Sequence, residues 1–279
     1  MSTQMASARG AADAPSTHAT PGSTLPRVMR SEFTKLFSVR STAWTLLALV
    51  VATIGIGILA CWGTNHGWPQ MTAKQRADFD PTATSMSGLS LGQLAIAVLG
   101  VMVISAEYST GGIRVSLTAV PQRMRLLTAK ALVFTAVAFV IGLATAFGAF
   151  YAGQPWFSKR GIGASIGDPD VLRGVIGGAL YIAASGLFGL AMGTLLRRTA
   201  GAVTAAVALL LVLPPLMNIL PGAWGDAVVR YFTSNAGQQI GYVHQSGNYL
   251  SPWVGFGVYC LWWIVPLAFG AWLMQRRDA

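Results

Sequence analysis

Side chains that bind metals or act as nucleophiles are scarce in this 279-residue sequence, which has two cysteines and three histidines. His18, His66 and His244 are far apart in polar segments, and the sequence has neither an H-E-x-x-H motif nor a paired-cysteine motif. Metal catalysis therefore has no support, and we assign no catalytic, cofactor-binding or metal-binding residue. Cys61 and Cys260 lie in apolar runs, where we expect them to act as packing residues.

Charged side chains are also scarce: they make up 10% of the sequence, whereas apolar residues make up 53%. An ordinary soluble domain has about 25% charged residues, so the composition excludes that class and predicts a polytopic membrane protein. No ionisable residue lies near the centre of a long apolar run, which disfavours an ion-coupled pump because a coupling ion needs ligands. The phosphate-loop motif G-x-x-x-x-G-K-[ST] is absent as well, so any use of ATP requires a partner chain.

Six apolar runs are long enough to cross a hydrocarbon core of about 30 Å as helices. We predict an all-α fold with spans at 42–62, 88–106, 127–151, 171–196, 199–220 and 252–274. Residues 1–24 are rich in Ala, Ser, Thr and Pro and predict a disordered tail. Residues 25–41 have apolar side chains at helical spacing, which predicts an amphipathic helix at the membrane surface. The alternative for them is a basic segment without an ordered role.

The distribution of positive charge predicts the orientation. If both termini lie inside, the inner segments 1–41, 107–130, 196–199 and 275–279 carry 13 of the 19 basic residues and 4 of the 9 acidic residues. Almost all of the net charge of +10 then follows the positive-inside rule. We therefore expect both termini in the cytoplasm and no nucleic-acid partner.

The longest inner connection, residues 106–130, is a polar and basic island between two apolar runs. Glu107 and Tyr108 close one helix, after which a Gly-Gly pair and Pro121 enclose the seven-residue piece IRVSLTA. The apolar residues of this piece fit a helix and also fit an alternating strand, so periodicity leaves both open. The alternative to a docking element is an ordinary basic linker held inside by its arginines.

The pattern E-Y-x-x-G-G-I-R-x-x-L from Glu107 onward is followed by P-x-R from Pro121 and by Lys130. With the six-span profile, it resembles the ABC-2 family of transporter permeases over residues 26–279. In that family this loop forms a coupling helix that docks on an ATP-hydrolysing subunit. The resemblance also implies an elbow helix before the first span and re-entrant helices between the last two spans.

The resemblance assigns nine candidate ATPase-coupling residues to this loop. They are Glu107, Tyr108, Gly111, Gly112, Ile113, Arg114, Leu117, Pro121 and Arg123. Ile113 and Leu117 are expected to fit a groove on the ATPase, and Arg114 to pair with an acidic residue there. Glu107 is expected to cap or orient the loop. One departure is that many relatives have Gly-Thr where this chain has Gly-Gly at 111–112.

The implied function is that of the permease subunit of an ATP-driven exporter in the cell membrane of a bacterium. Expected partners are a cytoplasmic ABC ATPase subunit, which binds the ATP and magnesium, a second permease copy as a homodimer or heterodimer, and membrane lipid. The apolar spans fit a hydrophobic or amphiphilic cargo, such as an antibiotic, a peptide or a lipid. Two other classes stay open: a membrane anchor or sensor without transport, and a membrane-embedded enzyme, for which the spans lack an acid-base pair.

Further local patterns give expectations about packing. In the fourth run, Gly174 with Gly178 and Gly189 with Gly193 are G-x-x-x-G pairs, which let helices approach closely. We expect them to pack within one subunit, with a dimer contact as the alternative.

Other features concern single segments. Lys130 is expected to snorkel at the inner end of the third run, and the charged residues 74–80 to form a solvated loop. Pro214 and Pro215 are expected to kink or break the fifth span near its outer end. The segment 221–251 mixes apolar and polar residues and is expected to dip back into the outer leaflet.

Overall fold

The computed structural model describes residues 24–109, 122–244 and 249–277, and every regular element in those ranges is helical. An amphipathic helix covers Leu25–Ser38. Six candidate membrane helices follow, named spans 1 to 6: Arg40–Gly67, Leu89–Ser109, Arg123–Ser158, Val171–Leu196, Thr199–Met217 and Pro252–Arg277. All six are long and apolar enough to cross a membrane, which confirms the prediction of an all-α, six-span fold.

Short helices occupy two of the connections between spans. Between spans 1 and 2 lie a 3-10 turn at Trp68–Gln70 and helices at Ala73–Ala77 and Pro81–Ser85. Between spans 5 and 6 lie helices at Gly222–Tyr231 and Thr233–Gln238 and a 3-10 turn at Gln239–Gly241. Both connections are on the side that the charge distribution predicts to be outside.

Span 4 is the centre of the bundle. It packs against spans 2, 3 and 6, and 89% of its most apolar stretch is buried, compared with 22% for spans 5 and 6. Ile182, Phe188 and Leu190 of span 4 are fully buried. Spans 5 and 6 therefore keep most of their apolar surface available for lipid or for another helix.

Both G-x-x-x-G pairs of span 4 face other parts of the same chain. A Cβ atom at Gly189 would overlap the carbonyl oxygen of Ala97 in span 2, and Gly193 also faces span 2. Gly178 faces the beginning of span 2, and Gly174 faces the 3-10 turn that precedes span 6. At Gly174, Gly189 and Gly193 the neighbouring atoms include backbone, so close approach there requires the absence of a side chain.

The amphipathic helix packs along span 3 with one of its faces. Val28, Glu32 and Leu36, spaced at i, i+4 and i+8, are its buried residues. A second apolar strip is uncovered, since Phe33 and Phe37 are 50% and 46% exposed. One face of this helix therefore fixes it to the bundle, and the other is directed away from the packed core.

Span 5 is interrupted before its two prolines. Regular α-helix ends at Val207, one π-helical turn covers Ala208–Val212, and a short helix covers Leu213–Met217. Pro214 and Pro215 have no N–H group to donate, so carbonyl oxygens of the preceding turn need other donors. The proline pair therefore accounts for the interruption of regular α-helix in span 5.

The connection after span 5 supplies those donors by folding back against the bundle. Thr233 and Ser234 donate hydroxyl hydrogen bonds to the carbonyl oxygens of Leu209 and Leu210, at 2.6 and 3.0 Å respectively. Further along, Ile240 is fully buried, in a turn that packs against spans 4 and 6. The end of this connection is thus part of the packed bundle.

Lys74, Arg76 and Asp78 are exposed as predicted, but Asp80 corrects the prediction of a solvated loop at the end of this run, because it is only 7% exposed. One carboxylate oxygen accepts two backbone N–H groups of the helix that begins at Pro81, and the other accepts the backbone N–H groups of Val243 and His244 at 2.8 and 3.0 Å. A single carboxylate therefore ties together the two outer connections. Four hydrogen bonds from backbone donors offset the cost of burying the charge.

Candidate functional site

Three of the nine predicted coupling residues lie in the described part of the chain. Glu107 and Tyr108 are in the last turn of span 2, and Arg123 is the first residue of span 3. The other six lie outside the described residues: Gly111, Gly112, Ile113, Arg114, Leu117 and Pro121. The structure therefore describes the two helix ends that flank the loop at 110–121.

Glu107 belongs to a group of four charged side chains that we call the charge ring: Glu32, Lys35, Glu107 and Lys130. The Nζ atom of Lys130 lies 2.5 Å from Glu32 Oε2 and 3.0 Å from Glu107 Oε1. The Nζ atom of Lys35 lies 2.7 Å from Glu32 Oε1 and 3.4 Å from Glu107 Oε1. Each lysine thus contacts both glutamates, and the ring joins the amphipathic helix to the end of span 2 and to span 3.

Burial strengthens the attraction between these charges, and the equal number of positive and negative side chains offsets the cost of burying them. The side chains of Lys130 and Glu32 are 4% and 5% exposed, that of Glu107 is 16% exposed, and that of Lys35 is 46% exposed. An isolated charge at such a position would be unfavourable by several kcal/mol, whereas two positive and two negative charges leave no net charge. The predicted snorkelling of Lys130 is wrong because its ammonium group is held inside the protein by Glu32.

The pKa shifts in the amphipathic helix favour the charged forms. Burial raises the pKa of Glu32, but the charge of Lys130 and hydrogen bonds from both lysines together lower it by more. The net pKa is therefore below that of an ordinary glutamate. Burial lowers the pKa of Lys35, while hydrogen bonding and attraction to Glu32 and Glu107 raise it by more, so the net pKa is above that of an ordinary lysine. Both side chains are therefore ionised at neutral pH.

Glu107 also has one carboxylate oxygen that accepts no hydrogen bond from the described residues. Its Oε2 atom is buried and has no hydrogen-bond partner among the described residues, whereas its Oε1 atom contacts both lysines. A buried carboxylate oxygen without a donor is unfavourable by about 1–3 kcal/mol or more. The residue at the base of the loop can therefore accept one more hydrogen bond without breaking the contacts of the ring.

A second set of contacts joins the base of the loop to the turn between spans 4 and 5. The guanidinium carbon of Arg197 lies 5.3 Å from the ring centre of Tyr108, in a cation–π contact. Arg197 ends span 4 in a left-handed conformation, with φ of 55°. Beside it, Thr199 donates a hydrogen bond of 3.0 Å to the hydroxyl of Ser105 in span 2. The end of span 2 is thus fixed to spans 4 and 5.

The other side of the loop is joined to span 6. Arg123, the first residue of span 3, donates a hydrogen bond of 2.8 Å to the backbone carbonyl of Met274 near the end of span 6. Near it, the guanidinium carbon of Arg276 lies 4.3 Å from the ring centre of Trp272. The helix ends on both sides of the loop therefore contact spans 4, 5 and 6 and the amphipathic helix.

A cavity of about 270 Å³ lies beside the charge ring. Its walls are the amphipathic helix, the beginning of span 1 and the end of span 2, with apolar contributions from Leu99, Met102 and Val103. All four residues of the ring contribute to its lining. The ring is therefore packed on one side and adjoins open space on the other.

The interior also contains a cluster of uncharged polar groups. The hydroxyl of Tyr181 donates to the side-chain carbonyl oxygen of Gln93 and accepts a hydrogen bond of 3.3 Å from Gln238. Next to it, the hydroxyls of Ser185 and Tyr259 lie 2.8 Å apart. Within the described residues no group of three or more His, Cys, Asp or Glu side chains could hold a metal ion. This cluster provides hydrogen bonds between spans 2, 4 and 6.

Sequence reasoning missed Glu32 and Lys35 as members of the site. The available signal was the position of Glu32 midway between Val28 and Leu36 at spacings of four residues, on the face that an amphipathic helix buries. An acidic residue on a buried face needs a cation. Lys130, at the predicted inner end of span 3, was the basic residue already expected near the membrane boundary.

Comparison with known proteins assigns a family to the chain. Residues 28–279 match the family described as "ABC-2 family transporter protein". No curated protein matches the sequence. The matched region contains the amphipathic helix from its fourth residue onward, all six spans and the whole charge ring.

Proposed function

The chain belongs to the ABC-2 family of transporters, and we propose that it is the permease through which a separate ATPase drives export of a hydrophobic or amphiphilic cargo. Members of this family are membrane components of ABC transporters, and membership generally implies a partner ATPase subunit. We further propose where this ATPase docks and how its movement reaches the spans. The observation that carries this proposal is the charge ring at the base of the loop.

The charge ring is suited to transmit a displacement of the loop. Glu107 lies three residues before the loop at 110–121, and it contacts Lys130 and Lys35, both of which contact Glu32. In a buried site of low dielectric constant, separating opposite charges is costly. A movement of Glu107 is therefore followed by span 3 and by the amphipathic helix, rather than absorbed locally.

The remaining contacts carry the same displacement to the other half of the bundle. Tyr108 is adjacent to Glu107 and contacts Arg197, at the end of span 4. On the far side of the loop, Arg123 is bonded to Met274 of span 6. A push on the loop thus reaches both of its flanking helices at once, and through them the central span 4.

In the proposed mechanism, the loop is the docking element for the ATPase. Ile113 and Leu117 occupy an apolar groove on that subunit, and Arg114 pairs with an acidic residue in it. ATP binding brings two ATPase subunits together and displaces the loops of two permease copies. The charge rings move with the loops, the bundles reorient, and the cargo passes outward between apolar spans.

The docking site is tested by copurification from native membranes in a mild detergent. The wild-type chain is expected to bring down an ATPase with a phosphate-loop motif in stoichiometric amount, and Arg114→Glu is expected to lose it. The matched control is Arg76→Glu, the same charge reversal on an exposed residue of an outer connection, which should retain the ATPase. Loss in both variants, or in neither, contradicts docking at Arg114.

Transmission is tested separately with Glu107→Gln, which keeps the shape of the side chain and removes its charge. This variant is expected to copurify with the ATPase but to lose most of the stimulation of ATP hydrolysis by cargo in reconstituted vesicles. Normal stimulation in Glu107→Gln would contradict a role for the ring. Absence of any ATPase partner would favour a membrane anchor or sensor, and chemical turnover by the purified chain alone would favour an enzyme.

A further inference from the structure

A second groove of the molecule, beside the buried face of the amphipathic helix, has no part in the proposed coupling. It has a volume of about 510 Å³ and lies between the amphipathic helix and span 3. Met29, Phe33 and Phe37 form one wall, and Val137 and Val140 are prominent in the other. We propose that this groove binds one acyl chain of an anionic phospholipid, with the lipid phosphate at Arg30.

The shape and chemistry of the walls fit an acyl chain. Phe33 and Phe37 are neighbours with ring centres 4.9 Å apart, and they are 50% and 46% exposed while facing the groove. On span 3 the lining runs from Val133 to Ile141, a length of about 12 Å at about 1.5 Å per residue. A trough of that length between two helices accommodates a flexible hydrocarbon chain. Such a chain would cover the exposed parts of the two aromatic rings with apolar surface.

Arg30 supplies the charge that selects the headgroup. It is the basic residue among those lining the groove, it is exposed, and it has no ion pair among the described residues. It precedes Phe33 by about one helical turn, so a lipid whose phosphate contacts Arg30 can place its acyl chain along the aromatic rings. The positive-inside rule places this helix at the cytoplasmic leaflet, where anionic lipids attract basic side chains.

The neighbouring lysine cannot take this role, because Lys35 is already paired with Glu32 and Glu107. The proposal therefore depends on an apolar trough and on Arg30, which has no ion pair within the part of the chain that the structure describes. It requires that the chain lie in a membrane but not that an ATPase dock on it, so it stands or falls independently of the proposed transport function.

The experiment uses the full-length chain in vesicles of phosphatidylcholine that contain phosphatidylglycerol with a photoreactive diazirine in one acyl chain. Irradiation is expected to label peptides that contain Phe33 or Val137. Arg30→Gln should reduce this labelling about fivefold. The matched control is Arg27→Gln on the same helix, which removes an exposed positive charge outside the groove lining and should leave labelling nearly unchanged.

A second pair of variants tests the apolar part. Val137→Trp fills the trough and is expected to abolish labelling at Phe33, whereas Val51→Trp, on an exposed position of span 1, should not. Thermal unfolding identifies any variant that has lost its fold, and unlabelled phosphatidylglycerol should compete better than phosphatidylcholine. Equal effects of the two arginine variants, equal competition by both lipids, or cross-linking of Phe33 to a second protein copy in place of lipid would overturn the proposal.

Discussion

The ammonium nitrogen of Lys130 lies 2.5 Å from a carboxylate oxygen of Glu32, a residue 98 positions earlier in the chain. Both side chains are almost completely buried. This pair joins the amphipathic helix to span 3, and the same ammonium group also contacts Glu107. The amphipathic helix and the last turn of span 2 are therefore both joined to span 3 through one buried cation.

Removal of Lys130 is the most direct test of this arrangement. Lys130→Met keeps the length and apolar part of the side chain, but it leaves Glu32 and Glu107 to repel each other with only the half-exposed Lys35 beside them. We expect a loss of about 3 kcal/mol in the free energy of unfolding, measured by chemical denaturation in detergent micelles. Lys74→Met, at an exposed position, should change it by less than about 0.5 kcal/mol.

A double-mutant cycle separates the pair from general damage to the site. Glu32→Gln alone should also destabilise the protein, but the double variant should lose less than the sum of the two single losses, by about 1–3 kcal/mol. Strict additivity would show that Lys130 and Glu32 do not stabilise each other in the membrane protein.

Acid should weaken the protein in a way that depends on Glu32. Because its folded pKa lies below the ordinary value, about 4.3 for glutamate, the unfolded chain binds this proton first as the pH falls. The stabilisation is thus complete above the unfolded pKa and is lost as the pH falls through the folded pKa. Melting temperatures between pH 6 and about pH 3 should fall more steeply for the wild type than for Glu32→Gln; parallel curves would contradict the assignment.

Apolar run length predicted the six spans because a helix must cover about 30 Å of hydrocarbon, and this requirement is local in the sequence. Contacts between residues far apart in the sequence could not be predicted in this way. Lys130 was expected to snorkel because nothing near it in the sequence opposes it, and Asp80 was expected to be solvated although its two distant donors lie 163 and 164 residues away. Six of the nine coupling residues lie outside the described residues, so their roles remain predictions.

The contact between Gly189 and Ala97 predicts a strong effect of a single methyl group. In Gly189→Ala the new Cβ atom would overlap a backbone oxygen of span 2, and a backbone cannot move aside as a flexible side chain can. We expect a loss of about 3 kcal/mol. Gly55→Ala is the matched control, because nothing lies within 4 Å of a Cβ atom there, and it should be neutral or stabilising by about 0.5–1 kcal/mol.

The same pair of variants distinguishes packing within the subunit from packing across a dimer. If Gly189 contacts span 2 of its own chain, Gly189→Ala lowers the melting temperature at every protein concentration. A variant that instead altered the oligomeric state and left the melting of the monomer unchanged would show that the contact with Ala97 is not the one that matters.

The final prediction concerns how span 5 tolerates its prolines. In the π-helical turn, the carbonyl oxygen of Leu209 would receive the N–H of residue 214, five positions on, but that residue is proline and has none. The hydroxyl of Thr233 bonds to this oxygen at 2.6 Å instead. Thr233→Val keeps the shape of the side chain and removes the donor, so it should cost about 1–3 kcal/mol in the free energy of unfolding.

Replacing the proline should make that hydroxyl less important. In a Pro214→Ala background the backbone N–H is restored, and Thr233→Val should then cost about 1 kcal/mol less than in the wild type. Thr135→Val is the matched control, because Thr135 bonds to the carbonyl of Ala131 within one continuous helix, where a backbone N–H already serves that oxygen; it should be nearly neutral in both backgrounds. An equal cost of Thr233→Val with and without Pro214 would mean that the hydroxyl does not replace the missing N–H.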